Sequence, residues 1–118
     1  IPAVPSEPDI REAMVMARHL AGVAESVERT IPYRLLLTRV RPLQSRVATY
    51  IYGQIEANKL ARFERPMVER EAYKEIFITG KPPTDTEPDK AGAEVLAILD
   101  EIRCIVAANS AKQGKAVA

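Results

Sequence analysis

Four stretches of this chain space their apolar residues as one face of a helix does. Between them lie short apolar runs of a different kind. In the first stretch Ile10, Ala13, Met14, Ala17, Leu20, Ala21, Ala24 and Val27 fall on one face, with Arg11, Glu12, Arg18, Glu25 and Glu28 opposite. Pro5 and Pro8 disfavour helix ahead of Asp9, so the spacing predicts a helix capped by Asp9 and ending near Val27. A second stripe, Leu43, Val47, Tyr50, Ile51 and Ile55, predicts a helix from about Pro42 to a stop at Asn58, weakened by Gly53. A short helix from Val68 to Phe77 would turn Ala72, Tyr73, Ile76 and Phe77 inward. The last, from about Asp89 to Ala108, carries the broad face Val95, Leu96, Ile98, Leu99, Ile102, Ile105 and Val106. Thr84 to Asp89 reads as a polar connector, and residues 109–118 as a flexible tail.

The apolar run Leu35-Leu36-Leu37 lacks alternation, which suits a strand covered on both faces, here Tyr33 to Thr38. Arg62 to Met67 predicts a second strand, with Pro66 near its exit because proline cannot donate to a ladder. Ile1 to Val4 resembles the end of a third. Strands alternating with helices imply an α/β fold with a parallel sheet and right-handed crossovers. Two or three parallel strands make a poor sheet alone, and the chain opens on Ile1 rather than Met. The expectation is therefore a piece of a longer protein.

Composition changes this picture little. An apolar share of 47% over 118 residues suits one folded domain and argues against disorder. Lys and Arg number 17 against 16 Asp and Glu, so global charge favours neither nucleic acid nor membrane, and any basic site must be local. The single cysteine, Cys104, excludes an internal disulfide and is expected to be a reduced thiol on a helix. No apolar run approaches the roughly 20 residues of a membrane span.

Much familiar chemistry is missing. The five glycines are isolated, and Gly80-Lys81 is followed by Pro82, so this segment encodes no phosphate loop. His19, the sole histidine, sits inside the first helix, and no His, Cys, Asp and Glu cluster has metal-ligand spacing. The carboxylate pairs Glu69–Glu71 and Glu25–Glu28 read as solvated faces. No catalytic residue and no metal ligand is expected. Arginine carries the one positive signal. If the strands are parallel neighbours, Arg39, Arg41, Arg65 and Arg70 approach the same sheet edge, either as ordinary surface residues paired with glutamate or as a local surface for phosphate groups. Ligands of open α/β sheets bind at the carboxyl ends of the strands, where Thr38-Arg39 and Pro66 fall.

Several segments carry a resemblance. Pro5-Ser6-Glu7-Pro8-Asp9-Ile10-Arg11-Glu12-Ala13, Ile31-Pro32-Tyr33-Arg34-Leu35-Leu36-Leu37-Thr38-Arg39, Ser45-Arg46 with its helix, Phe63-Glu64-Arg65-Pro66-Met67-Val68-Glu69-Arg70-Glu71-Ala72-Tyr73 and Ile76-Phe77-Ile78-Thr79-Gly80 follow one another as in the carboxyl-terminal half of ParA/MinD-type partition ATPases. Thr38-Arg39 and Arg70-Glu71-Ala72-Tyr73 are similar to plasmid-borne relatives, including those of conjugal-transfer systems. The likeness spans residues 1 to about 108.

The resemblance implies the carboxyl-terminal part of a doubly wound parallel-sheet P-loop NTPase fold. It implies a cytoplasmic bacterial parent that binds ATP with magnesium and dimerises on it. That parent binds DNA without sequence preference and answers to a ParB-like or relaxosome partner in plasmid or chromosome partition or in DNA transfer. Base contacts carry over to Thr38, Arg39, Pro66 and Met67, and DNA contacts to Arg46 and Arg70. The phosphate loop, signature lysine and magnesium-binding aspartate of the family have no counterpart in this sequence, so the chain alone should not hydrolyse ATP or bind it tightly. As a truncated half it should form a homodimer or an element-swapped oligomer. The alternative is a non-enzymatic interaction module that oligomerises through sheet edges and its final helix.

Overall fold

The computed structural model describes residues 1–82 and 90–117. In chain order the elements are β1 (Pro2–Ala3), α1 (Glu7–Val27), β2 (Leu36–Leu37), α2 (Arg46–Ala57), α3 (Glu71–Thr79) and α4 (Lys90–Val117). The expected connector Thr84 to Asp89 lies outside the described residues.

β1 and β2 pair in parallel, Pro2 opposite Leu36 and Ala3 opposite Leu37. The Leu36 and Thr38 amides donate to the Ile1 and Ala3 carbonyls at 2.8 and 2.9 Å. On the other side of β2 a third segment runs in parallel but forms no regular strand. It touches through single bridges at Leu35–Arg62 and Val40–Val68. The Phe63 and Met67 amides donate to the carbonyls of Leu35 and Leu37. Four residues of this segment therefore advance against two of β2, and Glu64, Arg65 and Pro66 bulge outward. The strand expected over Arg62 to Met67 is thus corrected to a bulged segment. Pro66 has no N–H to give a ladder, and a bulge absorbs it.

Period two along β2 turns Leu35 and Leu37 to the same side, both almost wholly buried. They meet Ile10 and Ala13 of α1, Ile51 and Ile55 of α2, and Ala3, with Met14, Val40, Tyr52 and Leu60 around them. Helix starts differ from the expected ones. α1 is capped by Ser6, whose Oγ accepts from the Asp9 amide at 3.4 Å. Pro8 sits in the first turn, where its missing N–H costs nothing. The Asp9 carboxylate instead accepts the Val4 amide at 2.8 Å, which pins the loop leaving β1. α2 begins at Arg46 rather than near Pro42, because Ser45 caps it through the Ala48 amide at 3.1 Å. Its buried face is Ala48, Ile51 and Ile55. Leu43, Val47 and Tyr50, expected inside, are exposed.

The second half is built differently. α3 starts at Glu71, after Arg70 in extended conformation, and ends on Gly80 at φ 69°. That left-handed turn suits glycine. No α3 residue is buried, and Phe77, expected to face inward, is 93% exposed. α4 buries Ala91, Glu94 and Ile98 and continues to Val117, through the stretch expected to be a tail.

Candidate functional site

The loops leaving β1 and β2 open a cleft of about 910 Å³ at the carboxyl ends of the strands. Val4, Pro5 and Val40 form its floor. One wall is the loop 39–45 with the α2 residues Ala48, Tyr52 and Glu56, and the other is the bulged segment at Arg62, Glu64, Pro66 and Val68. Each wall follows from local sequence. The Ser45 cap delays α2 and leaves Arg41 to Gln44 as a non-helical rim. Proline at 66 forces the opposite wall outward.

Arg39 lines the cleft from the left-handed region, at φ 55°. A side chain there costs of the order of 1 kcal/mol, so the turn that aims Arg39 outward is held by its neighbours. Those neighbours are the Thr38 and Val40 amides, which donate to Ala3 and Met67 carbonyls. Neither Arg39 nor Arg41 has an ion-pair partner among the described residues. Across the cleft the Arg62 guanidinium lies 5.1 Å from the centre of the Tyr52 ring, within cation–π range. The α2 amino terminus at Ser45 adds its positive dipole end to this rim. Three arginines and a helix start therefore face two carboxylates, Glu56 and Glu64. The arrangement suits an anionic ligand with a planar group. No histidine, serine–base pair or cysteine in the cleft could act as nucleophile or base. His19 is exposed on α1, Cys104 is exposed on α4, and the described residues hold no metal-ligating cluster.

Of the residues assigned to base contact, Arg39 and Pro66 line the cleft together. Thr38 and Met67 do not line it. Thr38 turns its hydroxyl to the Ala3 carbonyl at 3.4 Å, and Met67 uses both backbone groups on β2 and Val40. Arg46 is exposed in the first turn of α2, beside the rim. Arg70 is engaged elsewhere. Its Nη2 donates to Oε2 of the buried Glu94 at 3.0 Å. Arg65 lines a separate hollow with Arg34 and Glu101. The four arginines expected at one edge are therefore divided, two in the cleft and two toward α4.

Sequence reasoning placed Arg62 beside the second strand without a role in the site, and did not find the pair Glu94 and Glu101. The signal for the glutamates was available, since Ala91, Glu94, Ile98, Glu101 and Ile105 set two carboxylates in one helical stripe of otherwise apolar residues. Arg62 left no comparable mark, because its meeting with Tyr52 depends on the bulge. Comparison with known proteins gives no family model that matches the chain and no significant match among curated proteins or solved structures. No described helix is long and apolar enough to cross a membrane.

Proposed function

We propose that the chain is the carboxyl-terminal half of a ParA-type ATPase domain, built on a doubly wound parallel sheet, and that the cleft receives the base end of ATP. The observation that supports this reading is the meeting of Arg39 and Pro66 in one cleft, since the family resemblance puts base contacts at both. Arg41 and Arg62 supply positive charge beside them, and the Tyr52 ring offers a flat face. Thr38 and Met67 act through the backbone, holding the turn that presents Arg39. Arg46, exposed at the rim, is the residue of this chain offered to DNA. Arg70 is held by Glu94 and is not part of that surface. The described residues include no carboxylate cluster suited to magnesium, so no magnesium contact is assigned to this chain. When bound in the parent, magnesium would neutralise the phosphates being cleaved. This chain's part is to orient the nucleotide and to bind DNA.

Titration with ATP, followed by amide chemical shifts, tests the reading. Shifts should concentrate at Arg39, Val40 and Met67, and Arg39→Ala should weaken binding about tenfold, the scale of one charge-assisted contact. Inorganic triphosphate, which has no base, should bind more weakly than ATP. Equal binding of the two, or no shift near Arg39, would sink the proposal.

A second reading, a non-enzymatic oligomerising module, is favoured by exposed apolar residues. Phe77 and Ile78 on α3 are 93% and 85% exposed, and Leu96, Leu99, Ile102 and Val106 line the outer side of α4. A chain that stays monomeric at every concentration in sedimentation excludes the module.

A further inference from the structure

Glu94 and Glu101 lie seven residues apart on one face of α4, and the two do the same thing. Glu94 Oε1 accepts the Val68 amide at 2.9 Å, and its Oε2 accepts Arg70. The Tyr73 hydroxyl also donates to Oε1, at 2.8 Å. Glu101 Oε2 accepts the Glu64 amide at 3.3 Å, and its Oε1 pairs with Arg34. Glu64 and Val68 both line the cleft, at either side of Pro66. Their amides are not among those this segment spends on the β2 side, where Phe63, Met67 and Glu69 donate. An open sheet edge at this place would leave two N–H groups without a strand to accept them. Two carboxylates from α4 accept them instead.

We propose that Glu94 and Glu101 are positioning residues for the cleft. Through the Val68 and Glu64 amides they clamp the bulged wall from behind, so the shape of the cleft depends on α4 being docked. The part of this inference that concerns ligand affinity rests on the nucleotide reading above. Between Phe63 and Met67 no ladder bond defines the bulge, and loose backbone there would close on a ligand only by losing conformational freedom. The clamp removes that freedom beforehand, which is how preorganisation raises affinity. It also makes α4 the place from which the cleft can be controlled: whatever draws α4 away withdraws both acceptors at once.

The test uses amide hydrogen exchange on the whole chain in wild type, Glu94→Ala, Glu101→Ala and Glu101→Gln, with ATP titrations of each. Glu101→Ala should speed exchange at Glu64, and Glu94→Ala at Val68, by about tenfold, the loss of one ordinary hydrogen bond. Ala17 in α1 and Ile55 in α2 should keep their protection. Glutamine at 101 still offers a carbonyl oxygen and should recover most of the Glu64 protection. ATP affinity should fall at least about threefold in Glu101→Ala and return in Glu101→Gln, as a preorganised wall requires. If Glu94→Ala does not fold, the two position-101 variants still decide the matter. Unchanged exchange at Glu64, or loss of protection at Glu64, Ala17 and Ile55 together, would overturn the clamp. If wild type does not bind ATP the nucleotide reading falls, and the exchange pattern alone then decides whether α4 sets the wall.

Discussion

The two sides of β2 are held by different physics. On the α1–α2 side the contact is dry. Leu35, Ile51 and Ile55 are each 1% exposed, packed with Ile10, Ala13 and Leu37. On the α3–α4 side the contact is polar. Buried there are Glu94, Ala91 and Ile98, while Leu96, Leu99 and Ile102 remain outside. Burying apolar area is non-directional, and it stabilises any arrangement that excludes water. Charge-assisted hydrogen bonds are directional, and a buried carboxylate left without partners is strongly unfavourable. The first side thus holds the fold together, and the second specifies how one helix sits on it.

Leu35→Ala should have the largest effect. Removing a fully buried leucine costs about 2–5 kcal/mol. Leu35 also sits where both helices meet the sheet, so the loss should appear as global unfolding at lower urea, with all probes moving together. Glu94→Ala should cost about 3 kcal/mol, because Arg70 and the Val68 amide would lose their acceptor in a half-buried place. Its signature should differ: exchange protection falls across α3 and α4 while α1 and α2 keep theirs. If the two variants melt identically, the two sides are one cooperative unit rather than two.

Ser45→Ala has a smaller expected effect, about 1 kcal/mol, the usual cost of an N-cap. Its interest is positional. Without the cap α2 has no fixed start, and the non-helical rim at Arg41 to Gln44 can be drawn into helix. A urea midpoint gives the energy, and helical chemical shifts appearing at Gln44 would show the rim being consumed. Retention of the wild-type midpoint would mean that Pro42 alone sets the boundary.

How much of this was legible in the sequence follows the same division. The spacing of Ile10, Ala13 and Ala17, the unbroken Leu35-Leu36-Leu37 run and the Ile51–Ile55 pair predicted the dry side, because apolar periodicity is a local signal of burial. On the polar side the glutamates of the α4 stripe were legible, but their partners were not. Glu94 meets a residue 26 positions away and Glu101 one 37 away, and no local pattern encodes such a pairing. The apolar excess of α4 concealed it further, since much of that excess faces outward. The candidate site divides too. Arg39 and Pro66 line the cleft at the strand exits, whereas Thr38 and Met67 spend backbone groups on pairing. Tyr52 with Arg62 depends on a bulge that Pro66 announces only as an interruption.

The smallest expected effect is the most diagnostic for the second side. Phe77→Ser removes a large apolar side chain, which in a core would cost about 3–5 kcal/mol. At 93% exposure it meets almost nothing, so the urea midpoint should correspond to a change within about 0.5 kcal/mol. What should change is association. Phe77 and Ile78 together present apolar surface on the last turn of a helix that buries no residue of its own. Sedimentation of wild type and variant over a concentration series reads this directly. A fall in self-association at constant stability would show that this face seeks a partner, as an interaction surface does. A large loss of stability would show that Phe77 is buried in the protein in solution, and that the polar side has an apolar core of its own.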